Sequence, residues 1–294
     1  AGGFTNFSRD HLDHHRDMAE YFAAKMRLFD RLLTPGQASV IDADSDVAPR
    51  VIEICKTRGL KVIDVGARGA AITLLKATPA ADSTTMTLRH AGVDYEIVLP
   101  LAGAFQVSNA LVAAGLAIAS GDAPARVFAS LAHLEGAPGR LERVGARHGA
   151  PVFVDYAHKP DALEKVLATL RPLTRGRLIV AFGCGGDRDR GKRPLMGEIA
   201  ARGADIVIVT DDNPRSETPE MIRAAIIEGA KSVGVADLRE IGDRRAAIAA
   251  AIKELRAGDA LVVAGKGHET GQIIGDQTLP FSDHEAIAEA LQEM

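Results

Sequence analysis

Five short strand-like runs recur in the second half of the chain: Val152–Asp155, Leu178–Phe182, Ile206–Val209, Leu238–Ile241 and Leu261–Ala264. Those at 178–182, 206–209 and 261–264 are apolar and mostly β-branched, too short for buried helices and without the alternation of a half-exposed strand, so they read as strands covered on both faces. Helical spacing fills the gaps. After the first run, Leu163, Val166, Leu167 and Leu170 stand at i, i+3, i+4 and i+7 of a helix starting at Pro160. Further helices are predicted near 194–202, 218–231, 244–255 (with Asp243 as N-cap) and 283–292. Strand–helix alternation at this rhythm predicts an α/β fold with a doubly wound, mostly parallel sheet.

The first half is less regular. Apolar positions near helical spacing run through residues 17–33 and stop at Thr34-Pro35-Gly36. Strands are predicted at Val40–Ala43 and Lys61–Val65 around a helix near 47–57, and a hairpin at Thr84–His90 and Tyr95–Leu99. Helices are predicted at Asn109–Ser120 and Ala123–Leu134. The breaker-rich Glu135-Gly136-Ala137-Pro138-Gly139-Arg140 then marks a domain boundary, giving units 1–137 and 138–294. A net charge of −4, without basic stretches interleaved by aromatics, argues against a nucleic-acid partner. No apolar run approaches the roughly 18 residues of a membrane span. Two cysteines, Cys55 and Cys184, make no disulfide framework and favour a reducing cytoplasm. The opening Ala1-Gly2-Gly3-Phe4 has neither Met nor a signal peptide and reads as a strand end entering a loop. A missing N-terminal part is the expectation.

Polar segments following the strand-like runs carry the chemistry, because ligands bind at the carboxyl ends of parallel strands. Phe182-Gly183-Cys184-Gly185-Gly186-Asp187-Arg188 begins a long block that continues to Met196; Asp212-Asn213-Pro214-Arg215 and Gly265-Lys266-Gly267-His268-Glu269 follow the later runs. Arginine forks suit carboxylates, and Asp, Asn and Glu suit ammonium groups, so these blocks predict a pocket for a zwitterionic, carboxylate-rich small molecule. Gly186-x-x-x-x-Gly191-Lys192 matches most of a phosphate loop. Arg193 stands where Ser or Thr would hold Mg²⁺, however, and no other such loop occurs. Asp155, at a strand end, is placed to accept hydrogen bonds from ribose hydroxyls, and Arg140, at the domain joint, to reach a phosphate. Near the start, Asp10, His11, Asp13, His14 and His15 fit either metal or phosphate ligands or a solvated helix cap. Lys25 sits among Phe22, Met26 and Phe29, where a lysine ordinarily snorkels.

In this order, the Asn6-x-Ser8-Arg9-Asp10-His11-Leu12-Asp13 block, Gly139-Arg140, Asp155-Tyr156-Ala157-His158-x-Pro160 and Gly265-Lys266-Gly267-His268-Glu269 resemble the Mur ligases of bacterial cell-wall synthesis over essentially the whole chain. The Phe182–Met196 block and Asp212-Asn213-Pro214-Arg215 resemble the member that adds meso-diaminopimelate to UDP-N-acetylmuramoyl-L-alanyl-D-glutamate. The resemblance implies part of a central ATPase domain up to residue 137, its phosphate loop missing, and a Rossmann-like C-terminal domain from 138. It implies ATP-driven amide formation through an acyl phosphate, with Mg²⁺, by a cytoplasmic enzyme expected to be monomeric. Lys25 matches a carbamylated lysine that helps to place Mg²⁺, and His11 the histidine beside that metal. Asn109 resembles an adenine contact, with Gln106 departing from the commoner Asn of that motif; Arg140, Asp155 and His158 fall in the other nucleotide motifs. Arg188, Asp212, Asn213, Pro214, Arg215, Gly265 and Glu269 match positions that bind diaminopimelate. Arg215 argues against a lysine-adding relative, since lysine has no distal carboxylate to pair with it. A folylpolyglutamate synthetase and a non-catalytic amino-acid-binding module are the remaining alternatives. A nicotinamide dehydrogenase would need Gly-x-Gly-x-x-Gly after its first strand, which is lacking.

Overall fold

The computed structural model describes residues 1–12, 14–80, 83–234 and 237–293, so Asp13 of the first motif lies outside the described residues. The chain divides into two compact units, Ala1–Glu135 and Gly136–Met294.

The first unit contains β1 (Gly2–Phe4), α1 (Met18–Arg27), β2 (Ala38–Asp42), α2 (Ala48–Thr57), β3 (Lys61–Gly66), β4 (Ile72–Pro79), β5 (Thr84–His90), β6 (Val93–Leu99), α3 (Ala104–Ala119) and α4 (Pro124–Ser130). Its six strands form one sheet in chain order, parallel from β1 to β4 and antiparallel through β5 and β6. Successive strand residues point to opposite faces, and β2 shows the result. Val40 packs with Leu111 and Phe128 on the side of α3 and α4, while Ile41 packs with Phe22, Phe29 and Val51 on the side of α1 and α2. Asp17 starts α1 by accepting a hydrogen bond from the Glu20 N–H at 2.8 Å. Two expectations shift here. The hairpin turns on Ala91-Gly92 alone, with φ of 48° and 79°, as mirror-image hairpin turns require, so β6 begins at Val93. Helix α3 begins at Ala104 rather than Asn109, which puts Gln106 and Asn109 on one helical face.

The second unit contains β7 (Glu142–Arg147), β8 (Ala150–Asp155), α5 (Pro160–Leu170), β9 (Leu178–Phe182), α6 (Lys192–Gly203), β10 (Ile206–Val209), α7 (Pro219–Val233), β11 (Asp237–Glu240), α8 (Arg244–Glu254), β12 (Ala260–Ala264), β13 (Gly271–Ile274), β14 (Gln277–Pro280) and α9 (Asp283–Gln292). Six strands run in the order β11-β10-β9-β12-β8-β7, parallel except for β7 at the edge. Val152, Val154, Ile179, Ala181, Ile208 and Val263 pack with Ile248, Ile252 and Ile287 of α8 and α9. The alternate residues Phe153, Val180, Phe182, Val207 and Val262 are buried as well, and α6 and α7 pack on β10. The predicted N-cap holds: Asp243 accepts from the Ala246 N–H at 2.7 Å. Strand order is what matters for the site. β10, β9, β12 and β8 are neighbours, so the loops leaving their carboxyl ends meet along one edge.

Candidate active site

The loops after β9 and β10 interlock by backbone contact. The Gly186 N–H donates to the Asn213 carbonyl at 2.9 Å, and a Cβ on Gly186 would lie 1.9 Å from the Pro214 oxygen. Only glycine permits that approach. Buried Arg193 forks onto Glu217 at 2.8 and 3.1 Å, and Asp187 accepts from both the Ser216 hydroxyl and its N–H. These bonds also dispose of the near-match to a phosphate loop. The Asp187 N–H goes to Glu217 at 2.7 Å, the Gly191 N–H to Asp189 at 2.9 Å, and Lys192 donates to the His158 carbonyl at 2.7 Å.

Locking the loops together brings the predicted cations side by side. A Cβ on Gly185 would stand 2.7 Å from Arg215 Nη1 and 3.7 Å from Arg188 Cγ, so Gly185 leaves room for the Arg215 guanidinium and the Arg188 stem, while Arg188 Nη1 donates to the Asp187 carbonyl at 3.2 Å. Arg215 holds a left-handed backbone, φ 53°, fixed by hydrogen bonds between its N–H and Ile273 O (3.0 Å) and between its carbonyl and the Gly275 N–H (2.7 Å). A non-glycine residue kept in that region stores strain, which gathers at functional sites. Its Nη1 donates to Gly186 O at 2.8 Å, whereas Nε and Nη2 meet no hydrogen-bond acceptor among the described residues. That edge of the fork suits a carboxylate.

Acidic and amide side chains follow β10 and β12. Asp212, Asn213 and Pro214 are buried; Glu269 is half-buried and accepts from Asn213 Nδ2 at 3.0 Å and from the Tyr156 hydroxyl at 3.3 Å. A Cβ on Gly265 would lie 2.7 Å from Asp212 Oδ2, so this glycine leaves the carboxylate room. Beneath them two side chains that sequence reasoning did not single out are wholly buried. Lys266 reaches Asn213, Asp212 and Glu269, and Arg244 forks onto Asp283 at 2.7 and 2.8 Å while bonding the Ala264 carbonyl. The only sequence signal for Lys266 was a lysine flanked by glycines directly after a strand.

A second set lies at the ends of β8 and β12. The Arg140 guanidinium sits 4.2 Å over the Tyr156 ring, His158 packs edge-on to the same ring at 4.6 Å, and His158 Nδ1 contacts Tyr156 O at 2.8 Å. Gly139 makes this possible: a Cβ there would be 2.4 Å from the Gly267 carbonyl carbon. Asp155 accepts from the Leu141 N–H at 2.6 Å, and burial pushes its carboxyl up to about 6 against that bond, one from Ala157 and the Arg140 charge. Burial and the neighbouring Glu269 push the Tyr156 hydroxyl up. Tyr156 thus touches both sets of side chains, a role its place in the motif did not reveal.

In the first unit, Tyr21 is the shared platform. The His11 ring packs edge-on to it at 5.3 Å, His15 stacks at 5.4 Å, and Lys25 Nζ lies 5.6 Å from its centre and 5.7 Å from that of Phe4. A lysine ammonium repels Mg²⁺, so Lys25 fits a magnesium site only as its carbamate. Asn109 is exposed on α3, and Gln106, one turn earlier, is buried.

Two α/β units, with a glycine-rich edge of paired arginines and carboxylates on the second, define a class. Residues 1–117 match the Mur ligase middle domain and residues 139–267 the Mur ligase glutamate ligase domain; the chain belongs to the Mur ligase family. Within it, the chain is 62% identical to the UDP-N-acetylmuramoyl-L-alanyl-D-glutamate–2,6-diaminopimelate ligase of Bradyrhizobium diazoefficiens, over 99% of this chain and 60% of that protein. The ligase of that name from Mesorhizobium japonicum is 57% identical over 100% and 60%. A solved structure of a UDP-N-acetylmuramoyl-L-alanyl-D-glutamate–2,6-diaminopimelate ligase superposes with TM-score 0.63 at 36% identity, covering 99% of this chain and 60% of the other. Folylpolyglutamate synthase of Mycobacterium tuberculosis, complexed with ADP and AMPPCP, gives TM-score 0.72 at 25% identity over 90% and 60%. The chain therefore spans about 60% of the length of the curated relatives it matches. No helix among the described residues is long and apolar enough to cross a membrane.

Proposed function

We propose that this chain is the larger part of a cytoplasmic, ATP-dependent ligase that joins meso-2,6-diaminopimelate to the D-glutamyl carboxylate of UDP-N-acetylmuramoyl-L-alanyl-D-glutamate. The observation that carries this is that the interlocked loops after β9 and β10 hold Arg188 and Arg215 beside Gly185, while Asp212 shares the loop of Arg215 and Glu269 is bonded to Asn213 of that loop. A molecule with a carboxylate at one end and an amino-acid group at the other matches that polarity. Lysine would leave the guanidinium edge without an anion.

In this reading the D-glutamyl carboxylate takes the γ-phosphoryl group of ATP, and the amino group of diaminopimelate then displaces phosphate from the acyl phosphate. Arg188 and Arg215 hold the distal carboxylate, with Pro214 and Gly265 shaping the walls. Asp212 and Glu269 hold the ammonium groups, with Asn213 bonded to Glu269 behind them. Asp155 accepts from the ribose, Arg140 and His158 lie toward the phosphates, and Asn109 contacts adenine. His11 and the carbamate of Lys25 would hold Mg²⁺, which neutralises charge on the phosphoryl oxygens.

Calorimetric titration of the chain with meso-diaminopimelate, against L-lysine, tests the assignment. Binding of diaminopimelate alone is expected. Preference for lysine would move the chain to a sister ligase, and heat from neither ligand would overturn the pocket.

A further inference from the structure

Lys266 is wholly buried, a costly place for an ammonium group unless each donor finds an acceptor. Here it does. Nζ donates to Asn213 Oδ1 at 2.8 Å and to the Gly271 carbonyl at 2.7 Å, and it lies 3.5 Å from Asp212 Oδ1 and 3.6 Å from Glu269 Oε2. Three of its four partners are side chains of the proposed amino-acid pocket. Burial keeps Lys266 itself away from any ligand there.

The orientation of Asn213 follows from this arrangement. Its Oδ1 accepts a second hydrogen bond, from the Ile273 N–H at 3.0 Å. With two donors on the oxygen, the amide nitrogen must face the other way, and Nδ2 donates to Glu269 Oε2 at 3.0 Å. Flipping the amide would set an NH₂ group against two other donors and take from Glu269 Oε2 its bond to Asn213. Glu269 accepts from the Tyr156 hydroxyl through its other oxygen, Oε1, so one buried cation fixes a chain from Lys266 through Asn213 to Glu269. The same cation lies near two carboxylates of the proposed pocket, Asp212 and Glu269.

We propose that Lys266 is a positioning residue for amino-acid recognition. It sets the amide of Asn213, and through it the carboxylate of Glu269, in the one arrangement that turns acceptors toward an incoming ammonium group. This rests on the amino-acid reading of the pocket. Hence the test has one arm that needs no ligand.

In the ligand-free chain labelled with ¹⁵N, Lys266 is expected to give a slowly exchanging ammonium signal close in space to the Asn213 side chain. The two Asn213 amide protons should be well separated in shift. In Lys266→Met the Asn213 pair should move toward the values of a solvated amide, and diaminopimelate affinity should fall about 30-fold, the effect of losing one buried polar contact. ADP affinity should change less than 2-fold. If the Met variant does not fold, the wild-type ammonium signal decides alone, and its absence overturns the proposal. Unchanged Asn213 signals in a folded Met variant overturn it too, as does an equal loss of ADP and amino-acid affinity. Failure of the wild-type chain to bind diaminopimelate would sink the ligand assignment; the Asn213 signals would then decide the orienting role by themselves.

Discussion

Burial pushes the Asp155 carboxyl up to about 6, so it titrates close to neutral pH. A carboxyl raised on folding contributes stability that is complete below its ordinary range and is lost as pH rises through about 6. Nucleotide binding should run the other way, because ribose hydroxyls donate best to the ionised form. ADP affinity is expected to fall about 10-fold between pH 7 and pH 5, the loss of ionised carboxylate one unit below its titration point, and Asp155→Asn should flatten the profile. An equally steep profile in the variant would exclude Asp155 as the titrating group. Arg215 combines a strained backbone with the proposed anchor. Arg215→Ala should weaken diaminopimelate binding by roughly 2–4 kcal/mol, the cost of an unpaired charge in the pocket. Arg215→Gly should bind as poorly and yet unfold later than the alanine variant, by about 1 kcal/mol, because glycine tolerates φ 53°. Calorimetry and denaturant titration of both variants separate the two effects.

At the scale of elements, the strand ends are positioned by contacts that no local pattern announces. Gly186→Ala should cost roughly 1–3 kcal/mol or more in denaturant unfolding, since its Cβ meets the Pro214 carbonyl at 1.9 Å and neither loop is free to yield. The same variant should lose diaminopimelate affinity, because Arg188 and Arg215 ride on the two loops. Normal stability together with normal affinity would show that the loops are not interlocked in solution. The buried strands β9, β10 and β12 were legible because continuous apolar runs of that length have few other uses. Edge strand β7 was not: Glu142, Arg143 and Arg147 look like a loop, and charges of this kind are what keep an edge from pairing with another chain. β4 and the exposed β13–β14 hairpin escaped for a related reason, having little buried surface to leave a periodic signal. Yet β13 is what holds Arg215 and Asn213 in place.

For the whole molecule, the purified chain is expected to release no phosphate from ATP and Mg²⁺ above a Lys25→Ala control, because it contains no complete phosphate loop. Steady turnover above that control would overturn the expectation. The sequence by itself determined the α/β alternation, the breaker-rich stretch at 135–140 and the residue types at each strand end, because strand length, helical period and glycine placement are local properties written in neighbouring residues. Its likeness to a known family supplied the expected roles of Lys25, His11 and Asn109 that the residues alone left open. Only the tertiary structure decided the strand order that makes the ends of β10, β9, β12 and β8 neighbours. It alone placed Tyr156 between Arg140 and Glu269, and Lys266 and Arg244 beneath the acidic wall. Those facts depend on contacts between residues as far apart as Asn213 and Lys266, where burial turns an ordinary lysine into a fixed donor, and burial is a property of the packed molecule.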